Sequence, residues 1–261
     1  MEILNNLYIM KKKKLMKLYD VQSSLCCSLI KILSFNDLKN FILSSKIIRI
    51  EYLKFIKKLK VKNTMDIDIT HFKYLNYLDL RNLNINIHNT KVSSLKNLNL
   101  FNSKISNISS ILQFKNLEYL NLTLSSINSL CGFEKLTNLK KLFLKELSIL
   151  DLSPLSKLLK LEYLDISNTN IINLNPIENL NIRYLNIDNT NIKILKNLHK
   201  LIYLSCNNVN IYIKIKYLEN MQFIDIRGNN INNYDFLYKL SKKCNVYLNR
   251  HYKKEINVIN I

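Results

Sequence analysis

One order of apolar and polar positions recurs along most of this chain. An apolar residue is followed by two variable positions, a second apolar residue, one variable position, a third, and after four more positions an isoleucine. The first clear copy reads Leu75, Leu78, Leu80, Ile85 and the fifth reads Leu161, Leu164, Ile166, Ile171. Eight copies begin at Leu75, Leu95, Leu117, Leu139, Leu161, Ile182, Leu201 and Met221, and a degenerate one precedes them at Ile56, Leu59 and Val61. Side chains alternate across a strand, so each apolar-variable-apolar run predicts a short strand with one buried face.

Starts 19 to 22 residues apart leave no room for a long crossover helix. The chain must return through a tight turn and a 3-10 or single-turn helical segment, and the parallel strands then stack into a solenoid with one continuous core. Both prolines support this register. Pro154 and Pro176 each stand fifteen residues after a repeat start, behind Ser153 and Asn175, and Ser109 and Asp235 share the phase of those two polar residues. A capping residue followed by proline signals a helix start, which places short helical turns on the convex side.

The segment from Leu161 to Ile171 and the preceding Asp151-Leu-Ser-Pro-Leu155 resemble the leucine-rich-repeat family, in particular its 22-residue internalin-like and phosphatase-regulator-like class. The resemblance covers about residues 55 to 248 and implies an α/β solenoid with a concave parallel β-sheet. The inward Asn usual in that family is present only as Asn229. Ser103, Ser125, Thr169 and Thr190 can replace it through their hydroxyls, whereas Leu83, Leu147 and Val209 cannot, so backbone pairing along that column is an open question.

A solenoid needs caps at its ends. Residues 1–54 read as a helical N-terminal cap, 55–248 as the solenoid and 249–261 as a polar tail, with a C-terminal cap around Tyr234 to Leu240 and a last strand at Val246 to Leu248. Within the first segment, Leu29, Ile32, Leu33, Phe35, Leu38 and Phe41 are similar to an F-box, the helical module that recruits substrate adaptors to a ubiquitin ligase. The leading Leu-Pro of that pattern is absent, and an amphipathic cap accounts for the same spacing.

In a fold of this kind the residues between the inward leucines line the concave sheet. The third column reads Tyr77, Asn97, Tyr119, Lys141, Tyr163, Tyr184, Tyr203, Phe223; the fifth reads Asp79, Asn99, Asn121, Phe143, Asp165, Asn186, Ser205, Asp225. Tyr163, Tyr184 and Tyr203 on adjacent strands predict a ring ladder. It serves either recognition, for which tyrosine suits a contact surface, or the sheet's own cross-strand packing. Phe101, Leu124 and Phe143 are large apolar residues at positions expected to face solvent, which marks an anchor site or else a slip of register. Asp165, Asp188 and Asp225 complete the candidate partner-binding set.

Composition changes this picture less than its extremes imply. The chain carries a net charge of +20, with five arginines, no alanine, two glycines and two prolines. Residues with GC-rich codons are the scarce ones, so part of the basicity reflects an AT-rich genome; repeat type and composition together resemble multigene families of large DNA viruses and AT-rich protists. Residues 1 to 62 hold a net +10 of that charge. On the expected binding face Arg81, Lys141, Lys145 and Arg227 stand against Asp79, Glu146, Asp165, Asp188 and Asp225. A face so nearly neutral argues against nucleic acid.

Five cysteines without metal-type spacing read as free thiols in a reducing, cytoplasmic compartment. The four histidines occupy different phases, so no metal or other cofactor is expected, and two glycines cannot make a phosphate-cradling loop. No nucleophile-base-orienter set is visible. Two readings remain: a non-enzymatic module that grips a protein partner on its concave face, or an adaptor whose residues 29–46 dock a ubiquitin-ligase linker subunit.

Overall fold

The computed structural model describes residues 57–61, 66–67, 69, 72–87, 92–209, 212–213, 220–229, 240 and 244–247. The segment of residues 1–54, with its F-box-like positions Leu29, Ile32, Leu33, Phe35, Leu38 and Phe41, lies outside the described residues, as does the tail 249–261. Two compact units divide the chain, Met1–Lys57 with His71–Tyr74, and Lys58–Thr70 with Leu75–Ile261; every strand among the described residues belongs to the second.

In chain order the strands are β1 Lys58–Lys60, β2 Asp66–Ile67, β3 Tyr77–Asp79, β4 Asn84–Ile87, β5 Asn97–Asn99, β6 Lys104–Ile105, β7 Tyr119–Asn121, β8 Lys141–Phe143, β9 Tyr163–Asp165, β10 Tyr184–Asn186, β11 Ile194–Leu195, β12 Tyr203–Ser205, β13 Tyr212–Ile213, β14 Phe223–Asp225 and β15 Asn245–Tyr247. Ten of them form one parallel sheet in the order β1-β3-β5-β7-β8-β9-β10-β12-β14-β15. All eight repeats place positions three to five in this sheet, and β1 carries the degenerate copy, with Leu59 opposite Leu78. At the other end Val246 pairs with Ile224. That register moves the last strand one residue earlier than the sequence predicts and puts Tyr247 on the outer face.

The core lies under the sheet. Leu78, Leu98, Leu120, Leu142, Leu164, Leu185 and Leu204 are fully buried, as are Leu95, Leu117, Leu139 and Leu161 at the repeat starts. Each such side chain contributes roughly 1.5–3 kcal/mol of burial free energy, so the stack is held by repetition rather than by any one contact. Phe114 and Phe133 fill the core from the return side.

The central turns return as expected, through a one-turn helix α1 Ser109–Leu112 and 3-10 turns at Phe133–Lys135, Ser153–Leu155 and Asn175–Ile177. The caps differ from expectation. Ser153 and Asn175 do not cap through their side chains; the acceptors are Asp151 Oδ1 and Asn173 Oδ1, which take the N–H of Ser153 at 2.8 Å and of Asn175 at 3.3 Å. Asn107 does the same for Ser109 at 2.9 Å. A short polar side chain satisfies the N–H two residues on, and this geometry opens each turn.

Short strands also form on the return side: β2, β4 and β6 make one small parallel sheet, and β11 and β13 another. The cause is local. Asn84-Ile-Asn-Ile87 alternates polar and apolar residues, and Ile85 and Ile87 are both buried.

In each of the eight clear repeats the eighth position adopts a left-handed backbone: Asn82, Asn102, Leu124, Glu146, Asn168, Asn189 and Asn208 have φ between 50° and 62°, and Gly228 has φ 75°. Asn and Gly tolerate this conformation. Leu124 and Glu146 do not share that preference and are held there by N–H bonds to Lys145 O and Ser167 O, each 3.0 Å.

The inward polar column is paired through two routes. Ser103 Oγ accepts the Leu83 N–H at 3.4 Å and donates to Leu80 O at 2.7 Å. Asn229 Oδ1 accepts the Val209 N–H at 2.7 Å, and its amide donates to Cys206 O and Ile226 O. The next repeat thus serves an apolar residue that cannot serve itself. Leu147 takes the other route, donating its N–H to Leu144 O at 3.3 Å. Thr169 and Thr190 donate to the carbonyls of Ile166 and Ile187, while the buried Ser125 Oγ has no partner.

Candidate functional site

Positions three and five of each strand point away from the core, because position four points into it. The in-phase register then sets third-column residues side by side: Tyr163 faces Tyr184, Tyr184 faces Tyr203, and Tyr203 faces Phe223. Ring centroids in these pairs are 6.0, 6.2 and 4.4 Å apart.

The ladder is longer than the third column alone provides. Lys141 interrupts that column, but Phe143, two residues on and on the same face, lies 5.3 Å from Tyr119 and 4.7 Å from Tyr163. Tyr247 continues it 4.7 Å beyond Phe223. Seven rings, from Tyr119 to Tyr247, therefore run in unbroken contact across seven neighbouring strands. Phe143 is part of the ladder, and Tyr247 is the member that the sequence pattern missed, since the last strand was placed one residue late.

Most of these rings are half-buried, and Tyr184, at 40% exposure, is the most open ring of the third column. Burial pushes the Tyr119, Tyr163 and Tyr203 hydroxyls above their ordinary pKa, so all three are neutral donors at physiological pH. Tyr77 is half-buried too, with Asn97 between it and the ladder. Phe101 is half-buried and joins no ring contact among the described residues. Leu124 is 41% exposed, in the left-handed turn beside the sheet.

The fifth column has a structural task. Asp165 Oδ1 accepts the Ser167 N–H at 3.0 Å and the Ser167 hydroxyl at 2.7 Å. Asn99, Asn121 and Asn186 accept the N–H two residues on in the same way. Asp79 and Asp225 do so for Arg81 and Arg227, and both also hold the guanidinium at 2.6 Å. The Arg81 side chain lowers the Asp79 pKa against the opposing effect of burial. Ser205 is too short for this task, and Asp188 of the neighbouring strand's turn takes over, accepting the Asn207 N–H at 2.7 Å and the Ser205 hydroxyl at 2.8 Å. Asp165, Asp188 and Asp225 thus build the floor and rim on which the rings stand.

A second column went unnoticed in the sequence. Asn116, Asn138, Asn181 and Asn220, each just before a repeat start, donate their side-chain amides to carbonyls of the preceding turn: Ser93 O, Lys115 O, Leu159 O and His199 O, at 2.7–3.0 Å. Their fixed position was readable, but asparagine is so abundant here that its phase carried little signal. Among the cysteines, Cys206 is buried, with its thiol pKa pushed far up by desolvation, Cys244 is half-buried and pushed up to about 11, and Cys131 is exposed. Among the described residues no group of His, Cys, Asp or Glu could hold a metal.

Solved structures share this architecture. An internalin from Listeria monocytogenes superposes with a TM-score of 0.67 at 25% identity, over 76% of this chain and 62% of its own. The fold is that of the leucine-rich-repeat proteins. Internalin C2 of the same organism gives 0.60 at 21% identity over 77% of this chain and 84% of its own, and a leucine-rich-repeat protein of Leptospira interrogans gives 0.59 at 22% identity over 76% and 62%. This leucine-rich-repeat chain therefore spans less than two thirds of the first internalin's length. No family model and no curated protein matches its sequence.

Proposed function

We propose that this chain is a non-enzymatic interaction module that binds a protein partner on the outer face of its ten-stranded sheet. The observation that carries the reading is the ring ladder. Seven aromatic side chains in mutual contact form a continuous surface with few rotors to immobilise, and aromatic residues of this kind supply most of the energy at protein interfaces. The solenoid gives that surface a rigid base, and the likeness to internalins agrees with an interaction role. No helix among the described residues is long and apolar enough to cross a membrane.

Tyr184→Ala tests the proposal with little structural cost, because its ring is the most open in the column and its two ring contacts are the longest. Capture on the full chain, compared with the variant by mass spectrometry, should lose the specific partner while the melting temperature barely moves. Retention of the same partner by Tyr184→Ala and by Phe143→Ala would overturn the assignment of the binding face.

A further inference from the structure

Because all ten strands are parallel, every strand begins on one edge of the sheet and ends on the other, and the two edges can be compared turn by turn. On the leading edge, the two residues before and the one after each repeat start from Leu95 to Leu201 carry Lys96, Lys115, Lys140, Lys160, Arg183 and Lys200 against Glu118 and Glu162. All six cations are exposed. Lys96 and Lys140 both converge on Glu118, at 2.9 and 2.8 Å, and together hold its carboxyl at about 2. Lys160 and Lys200 donate to neutral asparagines, so their charge is not cancelled. Lys115 and Arg183 make no ion pair among the described residues.

The trailing edge of the same turns differs. Lys104 and Lys145 stand there against Glu146 and Asp188, and further out Arg81 and Arg227 are each neutralised by their own aspartate. A genome-wide drift toward lysine codons loads both edges alike. It does not account for one basic edge beside one balanced edge.

We infer that the partner of the ring ladder is an acidic polypeptide that lies over the rings with its carboxylates toward the leading edge. This inference rests on the proposed binding face and names the chemistry of its occupant. Charge complementarity of this kind steers association and fixes orientation. Lys141 replaces a ring on the ladder face itself and brings one cation into the middle of the surface. Single-stranded nucleic acid fits less well. The rings already contact one another at 4.4–6.2 Å, which leaves no open faces for bases to stack between. The trailing carboxylates would also face a phosphate backbone directly, whereas a peptide can carry its charge on one side.

The test uses the full chain and three labelled probes: a peptide alternating glutamate and leucine, its lysine-and-leucine counterpart, and an oligodeoxythymidylate. The acidic peptide should bind best and weaken with salt. Charge reversal at Lys115, Lys160 and Arg183 together should weaken it by about tenfold or more, against less than about twofold for reversal at Lys104 and Lys145. Tyr184→Ala should weaken it as well. Equal losses from both sets of reversals, tighter binding of the oligonucleotide, or no preference for the acidic peptide would each overturn the inference. Loss on Tyr184→Ala without loss on leading-edge reversal would overturn it too, while leaving the ladder as the binding face.

Discussion

The two faces of the same ten strands differ more than any two segments of the chain. Inward, position four is Leu or Ile in all eight repeats and fully buried in each. Outward, position three varies from Tyr to Asn to Lys, yet a continuous aromatic surface still results because Phe143 and Tyr247 reach in from position five. The inward face achieves its continuity by repeating one residue type; the outward face achieves it by geometry, with any ring on the same side of a strand able to fill a gap. Stability and recognition are thereby separated by a single step along the backbone.

Adjacent substitutions should expose that separation most strongly. Leu185→Ala removes a fully buried side chain and should cost about 2–5 kcal/mol in urea unfolding, while its neighbour Tyr184→Ala should cost less than about 1 kcal/mol. Comparable losses at the two positions would mean that the outer rings are part of the core. A smaller effect of opposite sign is expected beside the sheet. Leu124 occupies a left-handed turn that Asn fills in five other repeats, so Leu124→Asn should stabilise the chain by about 1 kcal/mol, read as a higher denaturation midpoint.

The smallest effect concerns the leading edge. Glu118 titrates at about 2, below its ordinary 4.5, because Lys140 and Lys96 bond to its charged form. A carboxyl depressed on folding stabilises the fold above its unfolded pKa, and that contribution is lost as pH falls from about 4.5 through about 2. The group is exposed to solvent, so salt should weaken the effect. Carboxyl-detected NMR titration should place the midpoint near 2 and move it toward 4.5 in the Lys96→Met, Lys140→Met variant.

The solenoid and its register were legible in the sequence because a period of two inside a period near 22 leaves only one way to bury the apolar residues at positions one, four and six of every repeat. The rings at Tyr163, Tyr184 and Tyr203 were legible for the same reason. Two features were not. The insertion of Phe143 between Tyr119 and Tyr163 depends on where a side chain leans, which a column of letters does not state. The turn-building role of Asp165 and Asp225 was hidden because a carboxylate that accepts a backbone N–H two residues on has the same sequence signature as one waiting for a ligand. The short strands β4 and β6 fell between the two, since Asn84 to Ile87 alternates visibly while two residues at Lys104 and Ile105 are too few to show a period.

The left-handed turn that follows the strand in each of the eight clear repeats also bears on how such a molecule can change over generations. It resets the chain to the same direction whatever follows, and the stretches between successive repeat starts already differ by up to three residues without disturbing the strand register. Length variation is absorbed on the return side. Whole turns can therefore be added or removed with the sheet still in phase, lengthening or shortening the ring surface one strand at a time.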